Sequence, residues 1–97
     1  MLVTKEILKT FDFDDYLMQK VEKFEFINQQ VNLKVKDREE LVFLIKKINL
    51  VNLEMFNMKK DFYLHSITFK EDNSQNELVT ILFESDEKNY DIEFSLC

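Results

Sequence analysis

The sequence predicts an α+β fold, in which an antiparallel sheet of four to five strands is packed on one face by two helices. The segments 62–70, 78–85 and 90–96 are rich in Phe, Tyr, Ile and Val, and Asn, Asp and Ser separate them, as is typical of strands and turns. The segments 15–23 and 38–49 carry apolar residues at helical spacing. A chain of 97 residues is expected to form a single domain, 1–97.

Two helices are predicted near the N-terminus. Thr4 can cap a short helix over 5–11. Asp14 can cap a second helix over 15–23, and Asp15 adds a favourable negative charge to its first turn. The apolar stripe of this second helix would consist of Leu17, Met18, Val21 and Phe24.

An alternating pattern follows and predicts two strands. Phe24 and Phe26 flank Glu25, and the apolar residues of 31–35 then alternate with polar ones. The strands would turn near residues 28–30, Asn-Gln-Gln. Because the chain contains no Gly, residues with positive φ must be Asn, Asp or another tolerant type.

Residues 37–40 predict the start of the helix over 38–49. Asp37 can accept from backbone N–H groups, and Glu40 stands three residues later, as in a capping box. The buried stripe of this helix would consist of Leu41, Leu44, Ile45 and Ile48. Residues 51–57 fit either a strand or a continuation of the helix, and a strand is favoured.

The C-terminal third predicts a meander of three strands, of which the last two form a hairpin. On the final strand the apolar residues Tyr90, Ile92, Phe94 and Leu96 would face one way. Asp91, Glu93 and Ser95 would face the other way, because successive side chains of a strand alternate.

Several kinds of catalytic or metal site are disfavoured, so no catalytic residue, metal or cofactor is expected. Without Gly, neither a P-loop nor a dinucleotide-binding fingerprint can form. His65 is the sole His and Cys97 the sole Cys, so neither a zinc cluster nor a Cys–His pair is indicated. The acids of 12–15 fit a helix cap better than a phosphotransfer motif. Residues 72–76 resemble the start of an EF-hand loop, but Glu77 and Phe83 replace its Gly and Glu.

Charge is distributed unequally along the chain. Residues 71–97 contain eight acids and one base, whereas residues 1–70 contain eleven acids and twelve bases. Such asymmetry favours an interaction surface. The predicted partner-binding residues, here named the acidic strip, are Glu84, Asp86, Glu87, Asp91 and Glu93.

The acidic strip resembles the charge of a nucleic-acid backbone, and it predicts a partner protein with a basic surface, such as that of a nucleic-acid-binding protein. The opposing interpretation is a solvated face that keeps a Phe-rich domain soluble and guards a sheet edge. Direct nucleic-acid binding is disfavoured, since the bases are scattered and the net charge is −6.

The resulting hypothesis is a non-enzymatic inhibitor that occludes a basic nucleic-acid-binding or active-site surface. Small acidic toxin-immunity and anti-defence proteins have this general character, and the amino-acid usage fits an AT-rich bacterium, phage or mobile element. The alternative is an assembly subunit that self-associates through a sheet edge or an apolar patch. A cytoplasmic location without membrane contact is expected, because neither a signal peptide nor a membrane span is recognisable and one Cys cannot form an internal disulfide.

Overall fold

The computed structural model describes residues 1–51, 61–71 and 77–97, and within them the chain is nearly all sheet. It contains one short helix, α1 (Lys5–Thr10), and one 3-10 turn (Asp14–Tyr16). The strands are β1 (Val21–Ile27), β2 (Gln30–Val35), β3 (Leu41–Leu50), β4 (Tyr63–Glu71), β5 (Glu77–Glu84) and β6 (Asn89–Leu96). The predicted α+β fold, with two helices on a sheet of four to five strands, is therefore wrong.

The six described strands form one antiparallel sheet in the order β1-β2-β3-β6-β5-β4. Two three-stranded meanders thus join through the pairing of β3 with β6. The outer strands also meet, because the Val21 N–H donates to the Phe62 carbonyl at 2.8 Å and the Leu64 N–H to the Gln19 carbonyl at 3.0 Å. The sheet therefore curls until its two edges touch, and its concave face encloses the core.

Alternate residues of the strands point into this core. In β5, for example, Val79, Ile81 and Phe83 are buried, while the residues between them lie on the outer face. Three edge-to-face aromatic contacts lie within the core. They are Phe24–Phe83 with ring centroids 5.3 Å apart, Phe43–Phe94 at 5.3 Å and Phe62–Tyr90 at 5.2 Å.

The predicted helix over 38–49 is instead strand β3, and a β-bulge explains the difference. Leu41, Phe43 and Ile45 are buried at the period of two that a strand requires. The register then shifts between Ile45 and Lys47, which inserts an extra residue. The next inward apolar residue is therefore Ile48, three positions after Ile45. An interval of three residues is also typical of one face of a helix, so the sequence of this segment predicts a helix.

The predicted helix over 15–23 is replaced by the 3-10 turn and the start of β1. Met18 has φ 66°, which no α-helix accommodates. A second bulge lies just after Val21, so the next inward residue is Phe24, three positions later. The helical spacing of Val21 and Phe24 in the sequence therefore also arises from a bulge. The prediction that Asp14 caps a helix is wrong as well: the Asp12 carboxylate accepts the Asp14 N–H at 2.9 Å.

Other predicted elements are confirmed. The Thr4 hydroxyl accepts the Ile7 N–H at 3.3 Å and caps α1. Asn28 and Gln29, with φ 52° and 60°, form the turn between β1 and β2. The meander of the last three strands is also present as β4, β5 and β6. The predicted strand over 51–57 lies outside the described residues, except for Val51, which is not in a strand. The segment 72–76, which resembles the start of an EF-hand loop, also lies outside the described residues.

Candidate protein-docking surface

The outer face of β5 and β6 carries three members of the acidic strip. Asp91 and Glu93 alternate with buried apolar residues of β6, so both carboxylates point away from the core. They lie about 7 Å apart along the strand. Glu84 stands at the end of β5, paired with Asn89 of β6. These side chains therefore share the outer face on two adjacent strands.

The turn between β5 and β6 presents the other two members of the strip. Its backbone closes through the Ser85 N–H, which donates to the Lys88 carbonyl at 3.0 Å. The Ser85 hydroxyl also accepts the N–H groups of Glu87 at 3.3 Å and Lys88 at 3.4 Å. This side chain thus organises a turn without Gly, and Asp86 and Glu87 are exposed at its tip.

A further carboxylate, Asp61, was missed by the sequence prediction. It lines a shallow cleft of about 170 Å³ together with Ser85, Asp86 and Glu87. Lys20 forms an ion pair with Asp61 at 3.2 Å. The sequence indicates the position of Asp61 only indirectly. If the segments 62–70 and 78–85 pair as an antiparallel hairpin, residue 61 must lie beside the turn that follows residue 84.

Other acids of the C-terminal segment are neutralised within the molecule. Lys5 of α1 forms ion pairs with Glu71 at 3.0 Å and with Glu77 at 2.9 Å, and Lys9 approaches Glu71 at 3.6 Å. Hydrogen bonds to Glu77 and Glu71 raise the pKa of Lys5. The hydrogen bond from Lys5 in turn lowers the pKa of Glu71. These contacts hold α1 against the end of the β4–β5 pair.

Replacing Lys5 with Gln is expected to loosen α1, because its ion pairs with Glu71 of β4 and Glu77 of β5 are lost. Amide hydrogen exchange over residues 5–10 should accelerate, while exchange in the strands stays unchanged. Lys36→Gln is a suitable control, since Lys36 is exposed and takes part in none of the ion pairs among the described residues. Equal exchange in the two variants would contradict this role for Lys5.

The Lys5–Glu71 contact also predicts a dependence on pH. Because the folded protein lowers the pKa of Glu71 below its usual 4.5, the contact stabilises the protein above that pH. This stabilisation is lost as the pH falls through the lowered pKa. Amide NMR shifts of α1 should therefore change in acid below about pH 4.5, and Lys5→Gln should remove that change. An identical titration in both proteins would exclude the contact as its cause.

Four of the five members of the acidic strip, by contrast, lack such compensation among the described residues. In the described parts of the chain, no Lys or Arg forms an ion pair with Glu84, Asp86, Asp91 or Glu93. Glu93 accepts one long hydrogen bond, of 3.5 Å, from the amide of Asn49. Lys88 lies over the ring of Tyr90 at 5.1 Å from its centroid. The strip is thus a negatively charged surface formed by two paired strands and the turn that joins them.

His65 and Cys97, the residues considered for catalysis or metal binding, lie on different parts of the sheet. His65 is exposed on β4, and Cys97 is exposed beside β3, where its N–H donates to the Leu44 carbonyl at 2.9 Å. Among residues 1–51, 61–71 and 77–97, no three His, Cys, Asp or Glu side chains form a group that could hold a metal ion. No helix within these ranges is long and apolar enough to cross a membrane.

A second outer surface is apolar. Ile27 and Leu44 both stand opposite Gln30, on its two neighbouring strands, and Leu2 stands opposite Val42. Ile27, Leu44 and Leu2 are 49%, 40% and 50% exposed. We name Leu2, Ile27, Val42 and Leu44 the apolar patch. Exposed apolar area of this kind is a recognised feature of protein interfaces.

The chain matches no protein-family model, no curated protein and no solved structure.

Proposed function

We propose that this chain is a non-enzymatic binding protein that inhibits a partner by covering a basic surface with its acidic strip. The observation that supports this most is the contrast between two sets of acids. Glu71 and Glu77 are paired with Lys5, whereas Glu84, Asp91 and Glu93 point outward with no ion pair among the described residues. The partner surface is one that binds nucleic acid or contains an active site. In this proposal the protein acts in the cytoplasm, as an anti-defence or immunity-like protein.

The mechanism would be electrostatic attraction followed by steric occlusion. A cluster of carboxylates raises the rate at which a basic surface is encountered. Three members of the strip lie on paired strands, so their backbone loses little conformational freedom on binding. Lys and Arg side chains of the partner would then pair with the strip, and the bulk of the sheet would exclude the nucleic acid or substrate that normally binds there.

This proposal is tested by capturing the partner from the native host on the tagged protein and measuring affinity for the purified partner at increasing salt. We expect affinity to fall steeply between about 50 mM and 500 mM salt, because exposed charges are screened. The captured partner should also lose its own ligand in competition. Affinity independent of salt, or undiminished ligand binding by the partner, would contradict the proposal and favour a face that serves solubility alone.

The apolar patch supports a second candidate function, that of an assembly subunit. Leu2, Ile27 and Leu44 are 50%, 49% and 40% exposed, and an apolar patch is where contact with another copy would form. In that case light scattering should show a stable homo-oligomer that is insensitive to salt, and Leu44→Asp should convert it to a monomer. A wild-type monomer at working concentrations would remove this candidate.

A further inference from the structure

Each strand-borne carboxylate of the acidic strip has an apolar side chain directly opposite it on a neighbouring strand. The pairs are Glu84 with Tyr63, Asp91 with Leu82, and Glu93 with Leu50. Directly opposed residues of antiparallel strands point to the same face, with Cβ atoms about 4.5–5.5 Å apart. The same combination of a carboxylate and an apolar side chain is therefore repeated three times on the outer face.

The apolar members of these pairs are accessible. Leu50 is 48% exposed, and Tyr63 and Leu82 are half-buried on the face opposite the core. A face that served solubility alone would be better served by polar residues at such positions. The repeated pairing is thus a second feature of this surface and is independent of its net charge. It affects whether arginine or lysine side chains of a partner fit the surface better.

Arginine suits such a pair better than lysine. Its guanidinium group is planar and weakly hydrated, can donate two parallel hydrogen bonds to a carboxylate, and packs favourably on aromatic or aliphatic surface. The lysine ammonium group is compact and strongly hydrated, so it gains less from an adjacent Leu or Tyr.

We propose that the acidic strip, together with Tyr63, Leu82 and Leu50, selects a partner surface whose basic residues are arginines. This inference rests on the proposed function and adds the chemical identity of the residues that the strip binds. Charge complementarity supplies the attraction, and the opposed apolar side chains supply the discrimination between the two cations. Part of the affinity for an arginine surface therefore persists at salt concentrations that screen the charges.

The test compares peptides of eight arginines and eight lysines, whose affinities for the full chain are measured by fluorescence anisotropy at low and high salt. The arginine peptide should bind about tenfold more tightly. In the double variant Leu50→Ser with Leu82→Ser, the difference should fall to about twofold or less. The control Phe26→Ser removes an apolar side chain that is 42% exposed and lies outside both the acidic strip and the apolar patch, and it should leave the difference intact.

The possible outcomes separate this inference from the proposed function. Equal binding of the two peptides, or a preference that survives in the double variant, overturns the selection of arginine but leaves the docking strip in place. Binding of neither peptide overturns the proposed function itself. If circular dichroism shows that the double variant is unfolded, Leu50→Ser alone takes its place, since Leu50 is largely outside the core, and an unchanged preference in that variant overturns the inference.

Discussion

Exchanging Asp86, Asp91 and Glu93 for Lys is expected to weaken binding of the basic partner at least about a hundredfold, with almost no change in the unfolding midpoint. Each substitution removes an attraction and introduces repulsion at the same place. None of the three forms an ion pair among the described residues, so the fold loses little. Calorimetric titration of the partner and thermal melting by circular dichroism measure the two effects.

A control must separate the acidic strip from net charge. Glu6, Asp14 and Asp15 are exposed acids outside the strip, and changing all three to Lys alters the net charge equally. This variant should lose much less affinity, because exposed charges beyond about 8–10 Å are largely screened at physiological salt. Equal loss in both variants would show that overall charge governs binding. Retained binding in the strip variant would remove the strip as the docking surface.

Phe43→Ala is expected to destabilise the protein by about 3–5 kcal/mol, a large share of the roughly 5–15 kcal/mol available to a domain of this size. Phe43 is fully buried on β3, and its ring contacts Phe94 of β6 edge to face at 5.3 Å between centroids. Truncation would leave a cavity where the two meanders join. Urea-induced unfolding, followed by fluorescence or circular dichroism, measures the change in the free energy of unfolding.

Leu44→Ala is the matched control for this core substitution. Leu44 is the next residue along β3 but points outward and is 40% exposed, so its truncation should cost less than about 1 kcal/mol. A helix over 38–49 would reverse the order, since Leu44 would then belong to its buried stripe. A larger loss from Leu44→Ala than from Phe43→Ala would contradict the strand assignment.

The two helices predicted in error have a common physical origin. In β1 and in β3, a bulge adds one residue between successive inward-facing positions, so Val21 and Phe24, and likewise Ile45 and Ile48, are three residues apart. Such an interval is typical of one face of a helix. A bulge depends on pairing with the neighbouring strand, so the sequence of a single segment does not reveal it. Strands without such a shift, such as β2 and β6, were predicted from their regular alternation.

The local part of the candidate site was predictable, and the long-range part was not. Alternation along β6 is enough to place Asp91 and Glu93 on the face opposite Tyr90 and Ile92. The neutralisation of Glu71 and Glu77 by Lys5, by contrast, depends on where α1 docks, some 70 residues away in sequence. The apolar residues opposite the carboxylates likewise depend on the register between strands, which no single segment encodes.

We propose the acidic strip as the surface at which this protein meets a basic partner. The most direct measurement is a map of amide NMR shifts during titration of the full chain with the eight-arginine peptide, at low and high salt. The shifts should concentrate on residues 84–93 and on their neighbours Tyr63, Leu82 and Leu50, and should diminish as salt is added. Shifts centred on α1 and Glu71, on the apolar patch, or spread evenly over the molecule would contradict the claim.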